Sequence, residues 1–295
     1  MGAADVIPGV SGGTIAFLMG IYQELVDSIK SISSSNFKLL LKGRLTEFWR
    51  AINGTFLVSL VLGILISIFS LARLMKYLLE FHPVPLWSFF FGLILASSVI
   101  ILRQLDKWNF KNILALVLGI IVAAYICLVS PSQTPDAYWF VFLSGAIAIC
   151  AMILPGISGS FILLLMGKYH FVMSAVTELN IPVLVVFAIG AILGILSFSH
   201  LLSWLLKKFY MPTIALLSGF MIGSLIKVWP WKEQVVLSAA EIAEEGAPLV
   251  DHPVWPGYFE QISGVSSQLG LAVLFAVAGI IVVVVMEWAS AKKGE

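Results

Sequence analysis

Two short motifs rich in proline, glycine and serine carry the residues best suited to bind a ligand. Residues 7–14 read Ile-Pro-Gly-Val-Ser-Gly-Gly-Thr, and residues 154–161 read Leu-Pro-Gly-Ile-Ser-Gly-Ser-Phe. Their hydroxyls suit the cap of a following helix, and their glycines allow close approach of the backbone to a ligand. Because a helix N-terminus offers free N–H groups and a partial positive charge, the pattern favours an anion site, phosphate included. The candidate residues are Pro8, Gly9, Ser11, Gly12, Gly13 and Thr14, with Pro155, Gly156, Ser158, Gly159 and Ser160.

The two motifs are copies of one sequence. They align at a constant offset of 147, and the same register continues through Leu-Met-Gly-x-Tyr at 18–22 and 165–169. Weaker echoes follow, since Gly-Ile-Leu recurs at 63–65 and 194–196, and the pair Phe91-Gly92 falls near Ser218-Gly219. The sequence therefore predicts two repeats, residues 1–135 and residues 136–295, with a polar outer loop at 229–266 in the second.

The composition decides the class of protein in which these motifs are placed. Of 295 residues, 60% are hydrophobic and 11% are charged, and the mean hydropathy is +1.03. Soluble domains carry roughly 25% charged residues, so this chain has too few to cover a surface in water. A soluble enzyme, a nucleic-acid-binding protein and a disordered chain are excluded. An integral membrane protein remains.

Six segments are long and apolar enough to cross a bilayer, which takes about 20 residues. They are 55–79, 86–102, 112–130, 181–205, 212–228 and 267–289. Lysine and arginine collect on the cytoplasmic side of membrane proteins, and here they collect in 30–54, 103–111, 206–211 and the C-terminal tail. Segment 229–266 is acidic and rich in tryptophan, so we expect it outside and the C-terminus in the cytoplasm. The halves then run in opposite directions.

Neither motif fits a plain transmembrane helix, because proline and clustered glycines interrupt one. Ten residues separate Thr14 from Glu24, and eight separate Ser160 from Lys168. At 1.5 Å per residue these stretches reach about half of the bilayer core. The predicted fold class is an all-α polytopic membrane protein with inverted repeats, six full transmembrane helices and two re-entrant helical hairpins. The alternative for each motif is a kinked pair of full spans.

Charged residues near the apolar segments supply further candidates. Arg73 and Lys168 are the expected phosphate partners, because long basic side chains reach inward from the ends of spans. Asp5 and Glu24 are candidates for coupling to a cation, proton or sodium. For these residues, and for Arg103 and Lys227, a position at the membrane interface is the alternative. The sequence holds no catalytic constellation, metal signature or nucleotide-binding motif, so we expect no enzyme, no metal and no other cofactor.

Residues 4–14, Ala-Asp-Val-Ile-Pro-Gly-Val-Ser-Gly-Gly-Thr, together with Gly20-Ile21-Tyr22, carry a family resemblance. This sequence resembles the bacterial polyprenyl-phosphate transporter family, and the second motif and the span pattern extend the resemblance over essentially the whole chain. Members usually have an apolar stretch before the first motif, whereas only seven residues precede Pro8 here.

The resemblance implies a protein of the bacterial inner membrane. It would return undecaprenyl phosphate, a lipid carrier of envelope synthesis, from the outer to the cytoplasmic leaflet. Its partners would be this lipid and the membrane lipids, with no nucleic acid. The phosphate would bind at the motif residues named above.

Two other functions are compatible with the residues. A channel or an ion-coupled exchanger for a small anion would also aim helix N-termini at a central site, and soluble phosphate or chloride would then compete. A membrane-embedded lipid phosphatase would need a nucleophile or metal-bound water and would release inorganic phosphate.

Overall fold

The computed structural model of the protein describes Met1 and residues 11–105, 107–129, 134–235 and 250–291. Within these ranges most of the chain is helical. The helices are α1 (Gly12–Leu18), α2 (Tyr22–Ser31), α3 (Ser34–Leu41), α4 (Leu45–Ala51), α5 (Gly54–Phe81), α6 (Pro83–Leu102), α7 (Phe110–Leu128), α8 (Tyr138–Ile153), α9 (Gly159–Leu165), α10 (Tyr169–Thr177), α11 (Ile181–Lys208), α12 (Tyr210–Gly223), α13 (Pro256–Ser263) and α14 (Leu269–Ala291). A 3-10 turn, Ser224–Ile226, follows α12, and two strands, β1 (Lys232–Val235) and β2 (Val250–Pro253), lie between it and α13.

Five helices of the described ranges are long and apolar enough to cross a membrane, namely α5, α6, α7, α11 and α14. They coincide with five of the six predicted segments, which confirms a largely helical, polytopic architecture. The pair α9 and α10 is bent by 109° at a short break. Such a bend is either a broken span or a re-entrant loop, so the re-entrant hairpin stays a prediction.

The sixth predicted span, 212–228, corresponds to α12 and the 3-10 turn that follows it, which together run from Tyr210 to Ile226. Its helix α12 has 14 residues and continues beyond Gly223 only as the 3-10 turn. There the Ser224 hydroxyl donates to the carbonyl oxygen of Met221 at 2.8 Å, and Pro230 follows soon after. This stretch is apolar but shorter than the five spanning helices, so the presence of six full spans stays a prediction.

The described part of the first motif, residues 11–14, adopts the same local structure as its counterpart in the second, residues 158–161. Ser11 and Ser158 cap α1 and α9 with φ of −107° and −106°. Both seven-residue helices end at a glycine of positive φ, Gly20 at +71° and Gly167 at +61°. In each case the N–H groups of the glycine and the next residue bond to carbonyls of the last helical turn, a C-terminal motif that favours glycine. The repeated sequence is therefore also a repeat of local structure.

The two glycine turns contact different loops. The Gly20 turn borders a small cavity of about 110 Å³ together with Gln104 and Tyr210. The Gly167 turn lies beside Thr134, whose hydroxyl donates to the carbonyl oxygen of Met166. The charge pattern places the first neighbourhood inside and the second outside. These contacts fit an inverted pair, whose orientation across a membrane stays a prediction.

Helices of the two predicted halves pack reciprocally. Helix α7 lies along α12, and α14 lies along α6. The first crossing holds Gly119 and Gly219, and the second holds Gly92 and Gly279. A Cβ added at any of the four would lie 2.0–2.3 Å from a carbonyl oxygen of the facing helix. Small residues permit this backbone approach in membrane helices, and the division at residue 135 stays a prediction.

The described residues of segment 229–266, the predicted outer segment, contain a small antiparallel sheet that the all-α prediction did not include. Strands β1 and β2 pair with Glu233 opposite His252. The Trp231 indole donates to the carbonyl oxygen of Ser267 at 2.8 Å. The backbone N–H and the hydroxyl of Ser267 both donate to the Glu260 carboxylate, and these bonds hold the pKa of Glu260 below its usual value. The described parts of this segment are thereby joined to the start of α14.

Candidate functional site

Residues 11–14 of the first motif pack directly against the second motif, about 140 residues further along the chain. Ser11 is buried, and its hydroxyl lies 3.2 Å from the carbonyl oxygens of both Met152 and Leu154. The same hydroxyl accepts the Gly13 N–H at 3.1 Å, which caps α1. This serine therefore joins a helix cap to the backbone that leads into the second motif.

Three other residues of the first repeat complete this contact. The Thr14 hydroxyl accepts the Gly156 N–H at 2.9 Å, and the Tyr22 hydroxyl donates to the carbonyl oxygen of Ile153 at 3.2 Å. A Cβ added at Gly13 would lie 2.4 Å from that same carbonyl oxygen. The Ser11 and Thr14 side chains are thus engaged in holding the second motif.

The second motif has a more open side. Ser158 accepts the Phe161 N–H at 3.3 Å as the cap of α9, and its oxygen lies 3.3 Å from the Ser160 hydroxyl. Ser158 is half-buried and Ser160 is exposed, whereas Pro155, Gly156 and Gly159 are buried. Gly156 has a φ of +90°, and a Cβ there would lie 2.5 Å from the Ser224 hydroxyl. The two serine hydroxyls are therefore the accessible polar groups of this motif.

Lys168 is buried, with 1% of its side chain exposed, and is engaged within the second repeat. Its ammonium forms an ion pair with Asp136 and donates to the carbonyl oxygen of Thr134 at 2.8 Å. The rings of Phe140 and Phe171 lie 5.7 Å and 5.2 Å from the nitrogen. A phosphate would have to compete with the Asp136 carboxylate for this cation, so the predicted role of Lys168 in binding stays a prediction.

The remaining predicted residues lie apart from the contact between the motifs. Arg73 is exposed on α5, a helix whose main packing partners are α2, α4 and α6. Glu24 is exposed and accepts a bond from the Asn53 amide at 2.8 Å, which ties α2 to the start of α5. Asp5, Pro8 and Gly9 lie outside the residues that the structure describes.

Lys227 lies beside the second motif, a position that the sequence did not single out. Its Nζ atom is 4.4 Å from the centroid of the Phe161 ring, in the first turn of α9. The preceding 3-10 turn carries Ser224, which approaches Gly156. The sequence indicated only that a single lysine lies at the end of an apolar segment. Lysines at a membrane interface show the same pattern, so it did not predict a contact with the second motif.

A second polar cluster joins the two repeats at the far ends of α2 and α11. Asp27 accepts the Ser203 hydroxyl at 2.6 Å and pairs with Lys207 at 3.2 Å. Lys30 donates to the same serine at 3.0 Å. These groups were missed because their partners are more than 170 residues away, and the cluster ties α2 to α11.

The fold and the paired motifs define a class, that of polytopic helical membrane proteins with a duplicated Pro-Gly-x-Ser-Gly element. The chain matches the family described as VCA0040-like, undecaprenyl phosphate translocase-like, over residues 1–245, and it belongs to that family. It is 46% identical over 287 residues to a polyprenyl-phosphate transporter of Vibrio cholerae serotype O1, covering 97% of this chain and 93% of the relative. It is 34% identical over 248 residues to one of Staphylococcus aureus, covering 78% and 83%. No solved structure matches the chain.

Proposed function

We propose that this protein transports undecaprenyl phosphate from the outer to the cytoplasmic leaflet of the bacterial inner membrane, so that the carrier is used again. The observation that carries the proposal is the 46% identity, over nearly the full length, to a protein named a polyprenyl-phosphate transporter. The apolar helices agree with a lipid substrate, whose tail stays in the bilayer while the phosphate crosses.

In this proposal the phosphate binds where the two motifs meet. Ser158 and Ser160 present hydroxyls on the open side of the second motif, and Lys227 supplies a nearby positive charge. Ser11 and Thr14 hold the backbone of that motif in place through the bonds described above. A fixed group of donors binds an anion better than one that must first be ordered. The half-helix N-termini of both repeats face this region near mid-membrane, and opposite rocking of the repeats exposes it to each leaflet.

Movement against a gradient needs a coupling ion, which we take to be a proton or sodium. Glu24 is the described candidate, at the junction of α2 with α5, and Asp5 is the second. An imposed pH or sodium gradient across a vesicle tests this directly, because only the coupling ion changes the steady-state distribution of the lipid. The Glu24→Gln variant should retain exchange but lose the response to the gradient.

The experiment uses the purified protein in liposomes that carry a fluorescent polyprenyl phosphate, with a membrane-impermeant quencher to report leaflet exchange. Ser160→Leu is the test variant, because the added side chain covers the open side of the second motif. Ser70→Leu is the matched control, an exposed serine on α5 whose hydroxyl bonds only within its own helix. We expect at least a tenfold loss of exchange in the first variant and none in the second.

Other outcomes decide against parts of the proposal. Absence of exchange by the unaltered protein, under gradients of either sign, would overturn lipid transport. Competition by chloride or soluble phosphate would indicate a small-anion pathway, and release of inorganic phosphate would indicate an enzyme. Equal loss of leaflet exchange in Ser160→Leu and Ser70→Leu would show that the second motif is not part of the binding site.

A further inference from the structure

An apolar cavity of about 410 Å³ lies between the 3-10 turn after α12 and the outer segment. Phe91, Leu225, Ile226, Trp229 and Trp255 are among its lining residues. Binding sites for small molecules have volumes of roughly 300–1,000 Å³ and mostly apolar walls. The size and the lining therefore fit an apolar ligand, or one part of a longer apolar chain.

The aromatic walls of this cavity are fixed by contacts with one another. The Trp229 indole donates its N–H to the carbonyl oxygen of Val254 at 2.9 Å, so its polar atom is satisfied within the protein. The same ring makes edge contacts with Phe91 at 5.5 Å and with Trp255 at 6.5 Å. Trp255 is 77% exposed and forms part of the rim. The cavity is therefore preformed and apolar, and it opens at the protein surface beside Trp255.

One turn of chain connects the cavity to the second motif. Leu225 and Ile226 line the cavity, and the next residue is Lys227, whose ammonium lies against Phe161 of α9. On the other side of the lining pair, Ser224 approaches Gly156. An apolar cavity, a cation and the serine motif thus lie along four consecutive residues.

We infer that the cavity receives the isoprenoid chain next to the phosphate, while Lys227 contacts the phosphate itself. The inference rests on the proposed function and adds the part of the site that holds the tail. A polyprenyl phosphate is a monoester with about −1.5 to −2 charge at pH 7 and a single chain, which suits one cation beside one narrow cavity. Most phospholipids present a diester and two chains. The distal isoprene units extend into the surrounding lipid.

Photo-crosslinking tests the inference on the unaltered protein in nanodiscs. The probe is farnesyl phosphate with a diazirine on its terminal isoprene unit, and adducts are mapped by mass spectrometry. We expect adducts within 225–229 and 253–255. Excess undecaprenyl phosphate should remove them, whereas excess phosphatidic acid, a monoester with two acyl chains, should not. Removal by both lipids alike would show a general lipid crevice and overturn the inference.

Ile226→Trp fills the cavity and should lower the adduct yield at least tenfold. Ile66→Trp is the control, because Ile66 is 67% exposed on α5, far from the outer segment in the chain. Lys227→Met should weaken competition by undecaprenyl phosphate at least tenfold, while competition by the uncharged alcohol undecaprenol stays unchanged. If filling the cavity leaves the adduct yield unchanged, the tail binds elsewhere.

The leaflet-exchange assay separates this inference from the proposed function. Exchange by the unaltered protein with adducts spread over α5 and none in the cavity would overturn the tail site and leave transport intact. Competed adducts in the cavity without any exchange would support the tail site and overturn transport.

Discussion

From Ser11 and from Ser158 onward, the two copies of the Pro-Gly-x-Ser-Gly motif have the same local structure and different surroundings. In the first copy, Ser11 and Thr14 are buried, and their hydroxyls bond to backbone groups of the second copy. In the second copy, Ser158 is half-buried and Ser160 is exposed. The first copy therefore supports the backbone of the second copy, and the second copy presents hydroxyl groups. The two differ because different parts of the chain pack against them.

The segments that contain the two motifs and their following helices, α1–α2 and α9–α10, are held by different ionic contacts. The first is anchored to α11 through Asp27, whose partner Lys207 is 56% exposed. The second is anchored through Lys168, which is almost fully buried beside Asp136. Similar motifs thus lead into an ion pair whose lysine is exposed in one repeat and an ion pair whose lysine is buried in the other, and in the second pair the Asp136 side chain is 65% exposed.

The largest expected effect comes from filling the contact between the motifs. Gly13→Ala places a Cβ 2.4 Å from the Ile153 carbonyl oxygen, so one motif must move. We expect a loss of about 3 kcal/mol, the upper end for overpacking, measured by thermal unfolding in detergent micelles. Gly63→Ala is the control, because nothing lies within 4 Å of that Cβ. It should be neutral or stabilising by up to ~1 kcal/mol. Similar losses in both would contradict a tight contact between the motifs.

Next in size is the comparison of the two anchors. Asp136→Asn leaves the buried Lys168 ammonium without its counter-charge and should cost about 2 kcal/mol, within the range for hydrogen bonds to charged groups. Asp27→Asn should cost at most about 1 kcal/mol, because the partner Lys207 is 56% exposed and the amide still accepts the Ser203 hydroxyl. Both values come from the same unfolding measurement. A larger loss of stability in Asp27→Asn than in Asp136→Asn would contradict the expectation that the contact of the buried lysine contributes more.

A smaller effect is expected from the threonine that bridges the motifs. Thr14→Val keeps the side-chain shape but leaves the Gly156 N–H without its acceptor, at a cost of about 1–2 kcal/mol. Thr213→Val is matched in burial, and its hydroxyl bonds only to a carbonyl of its own helix. It should cost less than half as much in the same assay. Equal costs would mean that the bond from Gly156 contributes nothing.

The smallest effect distinguishes the two capping serines. Ser11→Ala and Ser158→Ala each remove a helix cap, worth typically ~1 kcal/mol, but only the first also removes bonds to the other motif. We expect Ser11→Ala to be about 1 kcal/mol more destabilising. Leaflet exchange should fall further in Ser158→Ala once unfolding is accounted for. If Ser158→Ala were the more destabilising variant and Ser11→Ala lost more exchange, the second copy would be the supporting one and the first copy the one that presents hydroxyl groups.

Much of the fold follows from local properties of the chain. Five of the six spans were predicted within a few residues, because crossing a bilayer requires a continuous apolar length. The β1–β2 pair was missed, because pairing of two short polar strands depends on contacts across an intervening segment.

Some features of the candidate site were also predictable from the sequence, and others were not. The motifs were found as the residues of interest because duplication at a fixed offset is visible without structure. Their mutual contact, the pairing of Lys168 with Asp136 and the position of Lys227 beside Phe161 were not predictable. Each depends on side chains brought together from 32 to about 140 residues apart.

The sequence alone determined that this is a polytopic helical membrane protein with a duplicated motif, and it carried the family resemblance. Composition, hydropathy and repeated residues fix these properties because each is local or statistical. Only the tertiary structure decided that Ser11 and Thr14 are buried against the second motif, that Ser160 is exposed, and that an apolar cavity adjoins Lys227. Those features follow from helix packing, which chooses among many arrangements that the same apolar segments permit.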